Sequence, residues 1–335
     1  MNTLFGNADQ LFNTFLDNRE TISNNLGTGE HDIDGGDFAK GYGRVQQNVV
    51  LPAFISAYTN SDPNLVEPTD NYAKDVLFEL LPKINWQLNY RGLSKLSFFE
   101  KYFSSFNVTH GYRSTLQVNS FITNQRFIEN AEPNITTGNF ITRFEIPELV
   151  INEQFAPLLG LDVRLHNEMT FKVDFKKSRS LALSMQDNSL SETRSDEYVV
   201  GWGYRMKDVY IAFLKGGKKK KKARSKKKTS SKNNPSPNAA GGKNKDDEAS
   251  DLNFAFDFGY RFNRSFRNAF DNSIETSEPT RGNKTITINP AVDYDISKKL
   301  NARLFFDYTR TIPTTTAQFP TTSIAGGVRI RFTLD

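Results

Sequence analysis

The chain contains no cysteine. It therefore has no disulfide framework, no thiolate nucleophile and no cysteine-ligated metal site. Its only histidines, His31, His110 and His166, share no metal-ligand spacing. No G-x-S-x-G motif occurs, and the carboxylates are spread along the chain rather than paired in a recognisable site. The sequence thus predicts a protein that is not an enzyme, without catalytic residues, cofactor or bound metal.

Long hydrophobic runs are also missing. No stretch approaches the roughly 18 apolar residues of a membrane helix, and the start, "MNTLFGNADQ", has neither the basic nor the apolar region of a signal peptide. Only 37% of the residues are hydrophobic, yet there are 28 Phe and 12 Tyr. Many aromatic residues among polar ones suit strands that show water on one side only.

A period of two runs through "LDVRLHNEMTFKVDF", residues 161–175. We predict one long strand here, because successive side chains of a strand point to opposite faces. The predicted apolar face holds Leu161, Val163, Leu165, Met169, Phe171, Val173 and Phe175. The predicted polar face holds Asp162, Arg164, His166, Glu168, Thr170, Lys172 and Asp174. What lies against each face decides the class of the protein.

Four segments follow from these patterns. Residues 1–82 form a partly helical segment, with helices predicted over 7–27 and from about Pro52 onward. Residues 83–214 and 252–335 carry antiparallel strands, and 215–251 form a basic low-complexity loop. Nine strands are predicted, over 83–91, 104–123, 161–175, 180–186, 197–214, 251–263, 284–296, 301–311 and 323–335.

Two kinds of β-protein remain open, a soluble sandwich and a transmembrane barrel. Sandwich strands usually run about five or six residues, whereas this alternation is longer and carries charges throughout its polar face. Aromatic clusters near strand ends, at 98–103 and 262–270, are typical of membrane-interface girdles. We therefore favour a wall of long antiparallel transmembrane strands, with the apolar face in lipid. The residues predicted to face a wet lumen are Asp162, Arg164, His166, Glu168, Lys172, Asp174, Asp257, Arg261, Asp293 and Asp295.

The connections give a prediction of sidedness. Short links are predicted at 176–179 and 297–300, and short turns of such barrels normally face the periplasm. Counting strands back from the C-terminus puts both links, and the basic segment, on that side. Nine strands is an odd number, while single-chain bacterial barrels have even numbers. We therefore expect further strands and the export signal in sequence upstream.

The basic segment carries most of the positive charge. Residues 215–251 hold twelve lysines and Arg224 against four acidic residues, a net charge of +9 that leaves −4 for the rest of a chain whose total is +5. No aromatic residues interleave, so a solvated arm is favoured over a nucleic-acid site. We expect it to touch anionic periplasmic partners or the membrane surface. Its core lysines are Lys218, Lys219, Lys220, Lys221, Lys222, Lys226, Lys227 and Lys228.

Several stretches resemble one family. They are "GYGRVQQNVVLPAFISAYT" (41–59), "LPKINWQLNYRGLSKL" (81–96), "RFEIPELVINEQFAPLLGLD" (143–162) and "SDEYVVGWGYRMKDV" (195–209), and the similarity extends to "GGVRIRFTLD". They resemble the closing part of the giant outer-membrane translocon of the type IX secretion system, the Sov/SprA family of gliding-motility and cell-surface proteins. The run at 143–162 is the most specific, since no generic strand pattern requires it.

The resemblance implies a single-chain barrel of extreme size, up to about 36 strands in the largest known. It implies an outer-membrane protein that exports folded proteins. The implied partners are other type IX components, a smaller barrel protein at a lateral opening, secreted cargo proteins and the lipid bilayer. Two alternatives stay open, a small autonomous barrel of eight or ten strands and a soluble β-rich binding protein with a basic arm.

Overall fold

The computed structural model describes residues 8–33, 36–65, 85–128, 132–207, 209, 250–271, 281–297, 299–315 and 318–333. These residues form three α-helices: α1 (Ala8–Leu26), α2 (Gln47–Thr59) and α3 (Ser97–Tyr102). Short 3-10 helices cover Pro63–Leu65 and Gly92–Lys95. The strands are β1 (Trp86–Tyr90), β2 (Phe103–Val118), β3 (Ile122–Thr123), β4 (Phe144–Glu145), β5 (Glu148–Leu165), β6 (Met169–Ser184), β7 (Ser189–Met206), β8 (Leu252–Ala269), β9 (Arg281–Ser297), β10 (Leu300–Pro313) and β11 (Thr321–Phe332).

Nine of these strands form one antiparallel sheet in the order β1-β2-β5-β6-β7-β8-β9-β10-β11. The two-residue strands β3 and β4 pair separately, within the connection between β2 and β5. Pairing is extensive; β7 and β8 are in register from Ser189 opposite Ala269 to Met206 opposite Leu252. Within the described residues β1 and β11 each have a single neighbour, so the sheet is open.

The long antiparallel strands were predicted, and the number in the sheet matches the predicted nine. Several predicted boundaries were wrong. Residues 161–175 are not one strand: β5 ends at Leu165 and β6 begins at Met169, with a turn between them. The alternation continues on both sides of this turn, interrupted only by Asn167 within it, because the register joins odd positions to odd ones, such as Val163 to Phe171. The predicted link at 176–179 is also wrong, since it lies inside β6.

Other boundaries also differ from the sequence-based prediction. Most of β5, residues 148–160, was missed, and the real connection after β6 lies at 185–188. The predicted short link at 297–300 holds, because β9 ends at Ser297 and β10 begins at Leu300.

Both predicted N-terminal helices are present. α1 ends at Leu26 beside the expected Gly27. α2 begins five residues before Pro52, because the Gln46 side chain caps it by accepting a bond from the Asn48 N–H. It stops at Asn60, whose φ of 56° is left-handed. Within the described residues, no helix combines the length and the apolar character needed to cross a membrane.

The helices cover one end of the sheet. Phe15 of α1 and Phe54 of α2 are fully buried, and their rings meet edge to face with centroids 6.4 Å apart. Beneath them lie side chains from three neighbouring strands. Those side chains are Leu149, Ile151, Leu181, Leu183 and Leu190. The compact core of the described residues is therefore a helix pair packed on the ends of β5, β6 and β7.

Candidate functional site: a sheet with one apolar and one polar face

One continuous line of apolar side chains crosses all nine strands. Strand register places neighbours in the line directly opposite one another, from β1 to β11. We call it the apolar row; it consists of Tyr90, Val108, Leu161, Val173, Val200, Phe258, Ile288, Tyr308 and Ile324. Large side chains on this face stay exposed to solvent, with Val200 at 41% and Ile324 at 64%.

Similar residues lie above and below the apolar row on the same face. We call the whole band the apolar belt; its exposed members include Phe171, Val173, Tyr198, Val200, Phe256, Leu304, Phe306, Ile324, Val328 and Ile330. On β8 the alternating aromatic residues run from Phe254 to Phe262, a length of about 26 Å at roughly 3.3 Å per residue. Monomeric soluble proteins rarely expose a contiguous apolar surface of this extent.

The opposite face of the same strands is polar. In each strand, the residue just before or just after the apolar-row residue, alternating from one strand to the next, belongs to a second line, which we call the polar row. It consists of Asn89, Thr109, Gly160, Asp174, Val199, Gly259, Thr287, Thr309 and Ser323. Its two glycines, Gly160 and Gly259, have no side chain, so a polar side chain of the neighbouring strand lies over the glycine backbone. A Cβ at Gly259 would come within 2.4 Å of the Thr287 hydroxyl oxygen.

Eight of the ten predicted lumen residues share this polar face. They are Asp162, Arg164, Lys172, Asp174, Asp257, Arg261, Asp293 and Asp295. Several of them form contacts of opposite charge. Lys172 lies 3.3 Å from Asp174, and Glu197 accepts hydrogen bonds from both Lys176 and Arg261. The face therefore presents mixed, partly neutralised charge. The predicted basic lysines, 218–222 and 226–228, lie outside the described residues.

The other two predicted residues, His166 and Glu168, lie in the turn between β5 and β6 rather than on a strand face. Hydrogen bonds from Lys207 and Arg164 lower the pKa of Glu168 to about 2. The His166 Nε2 lies 2.8 Å from the carbonyl oxygen of Glu100, in α3. We call this the lower end of the sheet. The connection between β9 and β10 lies there too, because β9 ends at Ser297 and β10 begins at Leu300.

The basic segment also leaves from the lower end. The chain on its two sides comes together there, since the Val209 N–H donates to the Ser250 carbonyl at 2.8 Å. Arg205 forms an ion pair with Asp251 next to this contact, with its Nε 2.9 Å from the carboxylate. The two ends of the connection between β7 and β8 are therefore adjacent at the lower end of the sheet.

A band of charge bounds the apolar belt at its upper side. Asp196 of β7 receives Lys177 at 3.5 Å and Arg264 at 3.2 Å. Four residues closer to the upper end of β7, Glu192 forms ion pairs with Arg179 at 2.6 Å and with Arg194 at 2.5 Å. We call these residues the charged zone. Beyond it the same face continues into the core beneath α1 and α2, which form the upper end.

The helix pair is bonded to the sheet through a buried carboxylate. Glu153 of β5, 4% exposed, accepts hydrogen bonds from the hydroxyls of Tyr58 in α2 and Tyr112 in β2, at 2.5 and 2.7 Å. Burial, then the charge of Glu153 and this hydrogen bond, raise the pKa of Tyr58 well above its ordinary value. The sequence could not predict this buried carboxylate, because a single Glu in a strand pattern indicates a solvent-facing position.

Replacing Tyr58 with Phe should destabilise the helix pair by about 1–3 kcal/mol, since Glu153 then loses one of its two donors. The parent chain should lose stability as the pH rises above about 10, because the unfolded tyrosine releases a proton that the folded one keeps. Tyr58→Phe should show a shallower loss over that range. Chemical denaturation at about pH 8 and about pH 11 measures both effects. Tyr102→Phe, at an exposed position, is the matched control, and equal pH slopes for Tyr58→Phe and the parent chain would contradict the assignment.

The aromatic clusters predicted as girdles have different positions. Phe98, Phe99, Tyr102 and Phe103 gather at the lower end in and beside α3. Phe262 lies near the charged zone, with Arg264 4.9 Å from its ring centroid. Phe270 belongs to neither girdle; it is 2% exposed and packs edge to face on Phe15. Its position after the end of β8 brings it under α1.

Comparison with known proteins adds no family to this geometry. No protein-family model matches the chain, and a search of curated proteins finds no similar sequence. The arrangement of the two faces and the resemblance of the quoted stretches are therefore what a functional proposal rests on.

Proposed function

We propose that this chain is a section of the wall of a very large outer-membrane β-barrel, the C-terminal part of a type IX protein-conducting translocon that exports folded proteins. The observation that carries the proposal is the apolar row, which crosses nine strands without a polar residue and lies back to back with the polar row. Strands of a membrane barrel alternate in this way between lipid and lumen.

The open edges support a large wall rather than a small barrel. β11 is exposed on both faces along nearly its whole length, and β1 and β11 each have one neighbour within the described residues. In a bilayer every backbone group must be paired, so strands at such edges need further partners. A small autonomous barrel, the second candidate, requires β1 and β11 to meet each other, which in this structure they do not.

The orientation follows from the connections. The two shortest connections, between β5 and β6 and between β9 and β10, lie at the lower end, and short turns face the periplasm in such barrels. The long connection between β7 and β8 is the exception at that end. The upper end has one short connection, at 185–188, one long connection, at 119–147, and the helix pair. The lower end is then periplasmic, and the basic segment emerges there. The helix pair lies on the outer surface of the cell.

The polar face would line the conduit. Mixed charges such as Asp257 and Arg261 give folded cargo a hydrated wall with no strong field of one sign. The protein conducts and does not catalyse. Its partners are those of the resembled family: other type IX components, a smaller barrel protein at a lateral opening, and the cargo. A soluble β-rich binding protein, the third candidate, leaves the exposed apolar belt unexplained.

An immunoblot of native outer membranes with antibody against residues 323–335 tests the proposal. We expect a band several times heavier than the 38.0 kDa of this sequence, because the open edges require many more strands. A heat-modifiable, membrane-bound band near 38.0 kDa would instead identify a complete small barrel. Signal confined to the soluble fraction would favour the binding protein. Preadsorbing the antibody with the peptide is the control for specificity.

A further inference from the structure

A short segment before β2 lies on the apolar face at the lower end of the sheet. It comprises residues 91–102, the 3-10 turn Gly92–Lys95 followed by α3. Its Phe99 ring lies 4.9 Å from that of Phe106, centroid to centroid. Phe106 belongs to the apolar face, because it pairs with Val163 of β5. The segment therefore sits at the lower rim of the apolar belt, on the belt's own side.

The outward surface of this segment is apolar and exposed. Leu96 is 53% exposed, Phe98 66% and Tyr102 48%. They continue the apolar side chains of β1, where Trp86 and Leu88 are 45% and 56% exposed. No element among the described residues covers this surface. It is thus an extension of the apolar belt that projects from the plane of the sheet.

Cations surround these apolar side chains. Arg91, Lys95 and Lys101 are exposed, against the single acidic residue Glu100. The Lys101 ammonium lies 5.4 Å from the centroid of the Tyr102 ring. Exposed aromatic residues with basic side chains beside them characterise segments that lie in the interface of a bilayer, because the rings enter the acyl boundary and the cations reach the lipid phosphates.

The segment is held at a fixed height. Its C-terminal part is tied to the β5–β6 turn through the His166 ring, 2.8 Å from the Glu100 carbonyl oxygen. Phe99 and Phe103 fasten its inner side to β2, with ring centroids 5.9 Å apart. These contacts place Phe98 and Lys101 at the level where the belt ends and the polar turns begin.

We propose that residues 91–102 form an interfacial anchor that binds phospholipid headgroups at the lower end of the wall. Leu96, Phe98 and Tyr102 insert at the acyl boundary. Arg91, Lys95 and Lys101 engage the lipid phosphates. The anchor rests on the proposed function, because it requires the apolar belt to face lipid.

The absence of cysteine makes a depth measurement straightforward. Single cysteines are introduced at Phe98 and Glu100 in α3 and at Val328 in the apolar belt, in a cysteine-free form of the full-length outer-membrane protein that is proposed to contain this chain. Each variant is spin-labelled, purified and reconstituted into vesicles of phosphatidylethanolamine and phosphatidylglycerol. Collision with oxygen, which concentrates in the acyl region, is compared with collision with a water-soluble nickel chelate.

The label at Val328→Cys should be the most accessible to oxygen, the label at Phe98→Cys should be intermediate, and the label at Glu100→Cys should be the most accessible to nickel. Adding Lys95→Gln and Lys101→Gln to Phe98→Cys should move that label toward water. Lipid exposure at Val328 with full nickel exposure at Phe98 would overturn the anchor alone. Nickel exposure at Val328 would overturn the proposed function and the anchor with it. An unchanged Phe98 label in the double lysine variant would overturn phosphate recognition.

Discussion

Arginine at position 200 should prevent stable insertion of the sheet, whereas arginine at position 199 should be tolerated. Val200 belongs to the apolar row and Val199, its neighbour in β7, to the polar row. An arginine on the lipid face near the bilayer midplane costs about 2–4 kcal/mol, a loss of about 30- to 1000-fold in the folding equilibrium. The variant side chain at Val199 instead lies opposite Asp174, on the polar face.

The two variants are matched in residue type, strand and charge, so they differ in the face alone. The measurement, made on the full-length outer-membrane protein that is proposed to contain this chain, is the urea dependence of folding into phospholipid vesicles, followed by protection of the strands from protease. Equal loss of folding stability for both variants would show that the two faces of β7 do not meet lipid and water, respectively. Equal tolerance would show that the apolar belt does not meet lipid, and would favour the soluble alternative.

Glu192→Gln should destabilise the upper half of the sheet by about 3–5 kcal/mol. Glu192 is 5% exposed and is the carboxylate shared by Arg179, 1% exposed, and Arg194. Glu192→Gln removes a negative charge that two guanidinium groups share, at a place where Arg179 is buried and Arg194 is partly buried. The cost is that of taking a carboxylate charge out of a buried ion cluster, which exceeds the cost of losing one exposed contact.

An exposed ion pair nearby provides the control. Arg267 lies 3.4 Å from Asp187, with the two side chains 54% and 63% exposed. Asp187→Asn should change stability by less than about 1 kcal/mol, because water screens such a pair. Chemical denaturation of the detergent-solubilised chain, followed by far-ultraviolet circular dichroism, measures both variants. Similar small shifts for Glu192→Gln and Asp187→Asn would show that the charged zone is hydrated.

Alternation could predict the strands wherever one face of a strand is apolar and the other polar along its whole length. β8 satisfies this from Phe254 to Phe262, and its core was found. The missed part of β5, residues 148–160, does not, because Glu153 points into the core, where its Oε1 accepts hydrogen bonds from two tyrosines. A single sequence does not reveal such a partner. The turn after Leu165 was missed for a different reason. Paired residues of β5 and β6 differ by an even number of positions, so the apolar and polar positions continue in the same alternation through the hairpin.

Alternation placed eight of the ten predicted residues on the polar face, but it could not predict how the other face is divided between core and exposed surface. Leu181 and Phe171 have the same parity in β6 and look equivalent in the sequence. Leu181 is buried under the helices, while Phe171 is 38% exposed. The difference depends on where α1 and α2 fold back, which is a long-range contact. The short helix α3 was likewise missed, because six residues are too few to establish a helical period.

In the proposed membrane wall, the charged zone would determine how deep the sheet lies in the bilayer. Sliding the sheet downward by one pair of residues would draw Asp196, Lys177 and Arg264 into hydrocarbon. Sliding it upward would lift α3 and the turn at 166–168 into the acyl region. In the proposed membrane wall the strands would therefore lie at one depth, and a bilayer of different thickness would have to deform around them. The lipid close to this wall would be held at the thickness of the apolar belt.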